Sequence, residues 1–282
     1  MILKISHSTR YSFEQDVFLE PHYLTFTPAH RPYYDLVNFD LKVHPKPSGL
    51  VERPGLESNI YHQAWFNDMT NSLSIDVKLE LKLKKYNPFE FFVDSPVADS
   101  NKEIYRAFEK EALSFYLQTL PLSKGLSVWS KEISENAGEN LITYLSFLNQ
   151  SIHSDHKHII RMESNLMSPD EVFGQKTGSC RDLSWMMIHI LRHRGIAARF
   201  VSGYSFNPEL EEGHELHAWV EAYLPGGGWI GLDPSAGIFT TETYIPISAS
   251  FDPDMTKPVI GGFRGKAKST METAVDIELV EE

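Results

Sequence analysis

The run from Leu73 to Leu83 alternates strictly between apolar and polar residues, and it limits the possible folds of this chain more than any other feature. Every second residue in it is Leu, Ile or Val, and the residues between them are Ser, Asp, Lys or Glu. Successive side chains of a strand point to opposite faces, so the run predicts a strand with one buried and one solvated face. Such strands are typical of antiparallel sandwiches.

Further strand-like runs precede this one, separated by turn-forming Pro, Gly, Asn and Asp residues. They cover residues 2–13, 17–26, 34–43 and 60–66. We therefore predict that residues 1–90 form an antiparallel β-sandwich domain.

Residues 91–282 show helical spacing first and strand-like runs afterwards, which predicts a second domain and an α+β fold class. We predict its helical part over residues 99–195 and its sheet over residues 196–282. Strands are predicted within this sheet at residues 196–204, 217–224 and 229–233.

Three segments of the helical part allow separate predictions. Asp99-Ser100 is a candidate cap for a helix from about Lys102 to Gln118. The segment Gly125–Gly138 is predicted to be a polar connection. Apolar residues at helical spacing between Leu141 and Ile152 predict a second helix.

The third predicted helix carries the only cysteine of the chain, Cys180. Its buried face is predicted from apolar residues three and four positions apart: Leu183, Met186, Met187, Ile190 and Leu191. One step back along this stripe is Cys180, so the thiol is expected at the helix N-terminus, on the core-facing side. A helix N-terminus lowers the pKa of a thiol and favours a nucleophile. The commoner role of a lone cysteine is that of a small buried hydrophobe.

Composition excludes several classes of protein. The chain has 26 basic and 38 acidic residues, for a net charge of −12, whereas nucleic-acid-binding proteins normally carry a basic patch. A single cysteine cannot form an internal disulfide or a multi-cysteine zinc site. No apolar run is long enough for a signal peptide or a membrane span, so we expect no membrane association and a cytoplasmic protein with a free thiol.

His217 and Asp233 follow Cys180 in the order expected of a base and a residue that orients it. In the predicted strand of His217, Trp219 shares its face, while Ala218 and Val220 lie on the opposite, packed face. We predict a five-residue loop, Tyr223 to Gly227, in the following hairpin, which places Ala222 opposite Gly228. His217 then lies directly opposite Asp233, within reach of a hydrogen bond. A one-residue slip would put Asp233 on the other face.

Other polar clusters favour structural roles. His153, Asp155, His156 and His158 are predicted to lie in a solvated loop, and His189 and His193 lack the glutamate of a metalloprotease helix. The acidic residues Glu209, Glu211, Glu212 and Glu215 lack the spacing of a calcium loop. We therefore expect neither a metal nor a cofactor.

The motifs of this sequence resemble those of the bacterial transglutaminase-like superfamily. The resemblance of the core rests on Gly178-Ser179-Cys180-Arg181-Asp182, Arg199-Phe200-Val201-Ser202-Gly203-Tyr204, His217-Ala218-Trp219-Val220-Glu221 and Asp233-Pro234-Ser235. A similar N-terminal β domain is indicated by His7-Ser8-Thr9-Arg10-Tyr11, Glu20-Pro21-His22, Pro28 and Val43-His44-Pro45-Lys46-Pro47. The resemblance implies a papain-like core, in which a helix bearing the cysteine packs on an antiparallel sheet bearing the histidine and the aspartate.

The resemblance further implies acyl transfer on amide bonds, with Cys180 as nucleophile, His217 as base and Asp233 as orienter. Trp219, Tyr204 and Trp229 are candidates for the substrate pocket. We expect a peptidase or amidase acting on a peptide or protein. A cross-linking transglutaminase and a non-catalytic binding module are the alternatives, and the oligomeric state is left open.

Overall fold

The computed structural model describes residues 1–93, 104–138, 140–161, 163, 165–206 and 216–280. The N-terminal strands are β1 (Ile2–Leu19), β2 (His22–Leu24), β3 (Tyr34–His44), β4 (Gly49–Pro54), β5 (Ile60–Trp65) and β6 (Met69–Leu83). The alternating run is the C-terminal part of β6, and its apolar residues are buried as predicted. β4 has no counterpart among the strands predicted from the sequence.

The helices of the core are α1 (Ala107–Ala112), a 3-10 helix (Ser114–Leu117), α2 (Lys124–Ala137), α3 (Leu141–Asp155), α4 (Pro169–Gln175) and α5 (Cys180–His193). Two two-residue strands, β7 (Lys157–His158) and β8 (Thr177–Gly178), lie between them and pair in parallel. The core sheet follows, with β9 (Ala198–Ser205), β10 (Leu216–Leu224), β11 (Gly228–Asp233), β12 (Ile238–Phe239) and β13 (Tyr244–Ser250).

Two predicted helices are present in the structure, and one segment predicted as a connection is also a helix. The helices predicted at 141–152 and after Cys180 are present as α3 and α5, and Gly195 takes a positive φ of 77° just beyond α5. The segment predicted as a polar connection is instead the helix α2. Ser123 caps it, and it buries Leu126, Ile133 and Ala137, whose helical spacing the sequence analysis overlooked.

The helix predicted from about Lys102 to Gln118 is shorter in the described part of the chain. There it consists of α1 and the 3-10 helix. Its candidate cap Asp99-Ser100 and the acidic cluster Glu209, Glu211, Glu212 and Glu215 lie outside the described residues.

The end of the chain returns to the N-terminal sheets, which corrects the predicted extent of the core sheet. After a 3-10 helix (Pro253–Thr256) come β14 (Val259–Ile260), β15 (Phe263–Arg264) and β16 (Ser269–Val280). β15 and β16 pair with β1, and β14 pairs with β2. The core sheet therefore ends with β13, in the order β12-β11-β10-β9-β13, and does not extend to residue 282. Strand pairing between distant parts of a chain is not encoded in local periodicity.

Both faces of the core sheet are covered. On one face, Ala218, Val220 and Ala222 pack into the apolar cluster of α3 and α5. On the other face, Tyr204 and Ile245 belong to the apolar cluster of the N-terminal sheets. The opening that remains lies at one end of the sheet, where α5 begins.

Candidate active site

The N-terminus of α5 places Cys180 beside the core sheet. Residues of α5 further along its stripe are completely buried, and Cys180, at the first position of the helix, is half-buried. The helix start is held by Asp182, whose carboxylate is fully buried. It accepts hydrogen bonds from the backbone N–H of Ser179 (2.9 Å) and of Met167 (2.9 Å).

Arg161 neutralises this buried carboxylate. Its Nη1 lies 2.7 Å and 2.8 Å from the two carboxylate oxygens of Asp182, and its side chain is 13% exposed. Burial raises the pKa of Asp182, but the hydrogen bonds from Ser179 and Arg161 outweigh burial and leave its pKa lowered. The loop before α4 is thereby tied to the start of α5, which fixes the backbone position of Cys180.

His217 and Asp233 are hydrogen-bonded, although their register differs from the prediction. Leu224 lies opposite Gly228, so the strands are displaced by two residues from the predicted pairing of Ala222 with Gly228. His217 Nε2 nevertheless lies 2.7 Å from Asp233 Oδ2. A displacement of two residues keeps every side chain on its face, and the neighbouring position remains within reach. The predicted contact is present, and the predicted loop length was wrong.

Asp233 is fixed on both of its oxygens. Its Oδ1 accepts hydrogen bonds from the backbone N–H (2.9 Å) and hydroxyl (2.6 Å) of Ser235. Its Oδ2 accepts the Tyr244 hydroxyl at 2.8 Å besides His217. Burial raises the pKa of Asp233, but the charge of His217 and these hydrogen bonds lower its pKa to about 2. The carboxylate is therefore ionised at neutral pH and keeps the His217 ring in one orientation.

The thiol of Cys180 lies in one cleft with two histidines, His217 and His158. Hydrogen bonds from these imidazoles and from the backbone N–H of Ala218 act to lower the pKa of the thiol. Because Nε2 of His217 faces Asp233, the ring nitrogen on the cysteine side is Nδ1. Burial raises the pKa of Cys180, yet the charge of His217 and these hydrogen bonds lower its pKa to about 6. The pKa of His217 is raised well above its ordinary value, because Asp233 and Cys180 outweigh the effect of its burial. Both pKa shifts favour the thiolate and the imidazolium over the neutral pair.

His158 is the site residue that the sequence analysis missed. We predict a solvated loop for its cluster, and His153, Asp155 and His158 are exposed, while His156 is buried. The parallel pairing of β7 with β8 brings His158 opposite Gly178, two residues before Cys180. Nothing in the spacing of the cluster distinguishes His158 from its neighbours, so only the fold identifies it.

A cleft of about 870 Å³ opens beside the thiol. Its described lining includes Cys180, His217 and His158 together with the apolar side chains of Ile159, Phe206 and Leu216. A cleft of this size is sufficient for a peptide segment or a small ligand.

Trp219, Tyr204 and Trp229 do not line this cleft, so the structure contradicts their prediction as pocket residues. Trp219 and Tyr204 are fully buried. Tyr204 belongs to the apolar cluster of the N-terminal sheets, and Trp219 packs with Val201, Tyr244 and Ala249 of the core sheet. Trp229 packs under the guanidinium of Arg199, 4.1 Å from its ring centre. The strand face of His217 is polar and aromatic because it meets the N-terminal region.

Among the described residues, no group of three or more His, Cys, Asp or Glu side chains is arranged to hold a metal ion. In the same part of the chain, no helix is long and apolar enough to cross a membrane.

The pH dependence of thiol alkylation is a direct test of the ion pair. Only the thiolate reacts with iodoacetamide, so the rate should rise with pH around a midpoint near 6, the lowered pKa of Cys180. An ordinary cysteine would give a midpoint of about 8.5. The measurement is the alkylation rate from pH 4.5 to 9.5, followed by mass spectrometry of the peptide that contains Cys180. A midpoint near 8.5 would contradict the ion pair.

Two family matches cover most of the described chain. Residues 130–234 match the transglutaminase-like superfamily, and residues 3–82 match the bacterial transglutaminase-like N-terminal region. A solved structure from Cytophaga hutchinsonii, described as a "Putative Cysteine Protease", is similar over 100% of this chain and 92% of its own. Its TM-score is 0.70 at 17% sequence identity, which is a likeness of fold. The predicted resemblance and the predicted α+β fold class are confirmed.

Relatives in sequence match shorter segments. A segment of 110 residues is 32% identical to the uncharacterized protein ML0607 of Mycobacterium leprae and covers 36% of this chain and 38% of that protein. A segment of 73 residues is 37% identical to a protein-glutamine gamma-glutamyltransferase of Pseudomonas aeruginosa, covering 23% of this chain and 11% of that protein. The chain spans less than half the length of the curated relatives it matches.

Proposed function

We propose that this chain, whose residues 130–234 belong to the transglutaminase-like superfamily, is a thiol-dependent acyl-transfer enzyme that breaks amide bonds. Cys180 is the nucleophile, His217 the acid and base, and Asp233 the residue that orients His217. The observation that carries the proposal is that Cys180, His217 and Asp233 line one cleft, with His217 hydrogen-bonded to Asp233.

The proposed reaction begins from the thiolate–imidazolium pair. The sulfur of Cys180 attacks the carbonyl carbon of an amide, a C–S bond forms, and the carbonyl electrons move to the oxygen. The backbone N–H of Cys180, at the helix N-terminus, faces the developing oxyanion. When this intermediate collapses, the C–N bond breaks, and His217 gives its proton to the departing amine. A thioester on Cys180 remains, and His217 is left neutral.

The second half of the reaction determines the product. Neutral His217 can take a proton from water, whose oxygen attacks the thioester and releases a carboxylic acid and the thiolate. Hydrolysis is the outcome we propose, because Cys180 is half-buried beside an open cleft and water can reach the thioester. An amine in place of water would give a new amide. The match of a 73-residue segment to a protein-glutamine gamma-glutamyltransferase supports this second outcome for a primary amine.

The proposal is tested by incubating the protein with a library of glutamine- and asparagine-containing peptides, with and without a labelled primary amine. Mass spectrometry distinguishes backbone cleavage, side-chain deamidation and amine conjugation. The matched control is Cys180→Ala, which removes the sulfur and keeps the helix. We expect products from the wild type and none from Cys180→Ala. Identical product lists would refute the proposal. A thiol with an ordinary pKa and no products would favour a binding module.

A further inference from the structure

We propose that His158 is a second imidazole partner of the Cys180 thiolate and carries a positive charge through the acylation step. The inference rests on the proposed function in treating Cys180 as the nucleophile, but it concerns a residue with no role in the triad. His158 and Cys180 line the same cleft, and we assign His158 a direct role at the reacting sulfur.

The first support is the backbone arrangement around β7. His158 pairs with Gly178, and the backbone N–H of Ile159 donates to the carbonyl of Gly178 at 3.0 Å. On the other side of His158, the backbone N–H of Lys157 donates to the carbonyl of Lys176 at 2.8 Å. These hydrogen bonds attach the backbone of His158 to the segment that enters α5. The imidazole therefore stays beside the thiol instead of moving with a free loop.

The second support is the charge of the site during the reaction. In the resting state Cys180 and Asp233 are negative and His217 is positive, so these three groups together carry one negative charge. After the amine has taken the proton of His217, only Asp233 remains charged, and the total is again one negative charge. A protonated His158 brings the total to zero at both stages. Uncompensated charge at a half-buried site is costly, and an adjacent cation reduces that cost.

The charged groups around His158 favour its protonated form. Its hydrogen bond to Cys180 raises the pKa of His158, and this effect and the charge of Asp233 outweigh partial burial and the charge of His217. Two cations of the neighbouring segments are engaged with other groups. Arg161 binds Asp182, and Arg181 donates to the carbonyls of Arg161 and Glu163. On α3, His153 binds the carbonyl of Ser235, and Asp155 accepts the indole N–H of Trp129.

The test replaces His158 by Gln, which keeps a hydrogen-bond donor and removes the charge, and by Arg, which restores a permanent charge. In His158→Gln the midpoint of iodoacetamide alkylation should rise by about one pH unit. The rate at pH 5.5 then falls about tenfold, while the rate at pH 8.5 changes little. His158→Arg should return the midpoint close to that of the wild type. His30→Gln is the matched control, because His30 is an exposed histidine on the N-terminal region.

A second measurement separates charge from packing. Iodoacetate is an anion and iodoacetamide is neutral, and both react with the same thiolate, so the ratio of their rates cancels the thiolate fraction. At pH 6 this ratio should fall several-fold in His158→Gln and recover in His158→Arg. If the wild-type midpoint is near 6 and neither the midpoint nor the ratio changes in His158→Gln, this inference is overturned and the proposed function stands. A wild-type midpoint near 8.5 overturns both.

Discussion

Replacing Asp233 with Asn is expected to lower kcat/KM by a factor of about 10⁴ while leaving the fold intact. The backbone N–H groups of Ser235 and Ala236 both donate to Oδ1 of Asp233, so the amide oxygen of an asparagine would take that place. Its NH₂ group would then face His217 Nε2 and donate to it. The histidine would be forced to carry its proton on Nδ1, the nitrogen that must receive the proton of the Cys180 thiol.

The measurement is turnover of a substrate found in the peptide library, together with the iodoacetamide alkylation profile. The alkylation midpoint should move from near 6 towards the ordinary value of about 8.5. Asp40→Asn is the control, because Asp40 is an exposed carboxylate of the N-terminal sheet. A loss of less than tenfold in Asp233→Asn, with circular dichroism unchanged, would mean that Asp233 does not orient His217.

Replacing Asp182 with Asn is expected to lower the free energy of unfolding by about 3 kcal/mol at pH 7. The carboxylate is fully buried, so its removal leaves the largely buried guanidinium of Arg161 without its partner. One backbone donor, from Ser179 or Met167, would also face an NH₂ group instead of an oxygen. The measurement is urea unfolding, followed by far-UV circular dichroism.

A second carboxylate near Arg161 offers a matched control. Glu163 lies 3.6 Å from Arg161 Nε but is 66% exposed, so Glu163→Gln should cost less than about 0.5 kcal/mol. The pH dependence supplies a further check. The pKa of Asp182 is lowered by folding, so its contribution to stability is complete above about pH 4 and is lost as the pH falls through its folded-state pKa. Asp182→Asn should therefore show a weaker loss of stability on acidification than the wild type. Equal stability of the two variants at pH 7 would contradict this account.

The N-terminal region affects the site through the sheet. Glu221, on the same strand face as His217, is buried and binds Arg31 at 2.8 Å and Arg199 at 2.6 Å. Trp219 lies between His217 and Glu221 in the sequence and packs edge-to-face against Tyr244. The hydroxyl of Tyr244 donates a hydrogen bond to Asp233. The N-terminal region thus covers part of the sheet face that carries His217, and the cleft lies beside the start of α5.

Local patterns were sufficient for much of this protein. Alternation predicted β6, and helical spacing predicted α5 with Cys180 at its start, because amphipathic periodicity is a property of a single segment. The face shared by His217 and Trp219 followed from the same rule. Predictions from the sequence failed where they depended on how one strand pairs with another. The hairpin loop is shorter than proposed, and the pairing of β16 with β1 joins the two ends of the chain.

The sequence by itself determined the order of the elements, the position of the only thiol on its helix and the strand face that carries the imidazole, because short-range periodicity encodes each of them. The tertiary structure alone decided what surrounds the thiol. It brought His158 into the cleft of Cys180 through a two-residue parallel pairing, assigned Arg161 to Asp182, and buried Trp219 and Tyr204 away from the cleft. Each of these contacts joins residues that are distant in the chain, and no local pattern encodes which distant partner a side chain will meet.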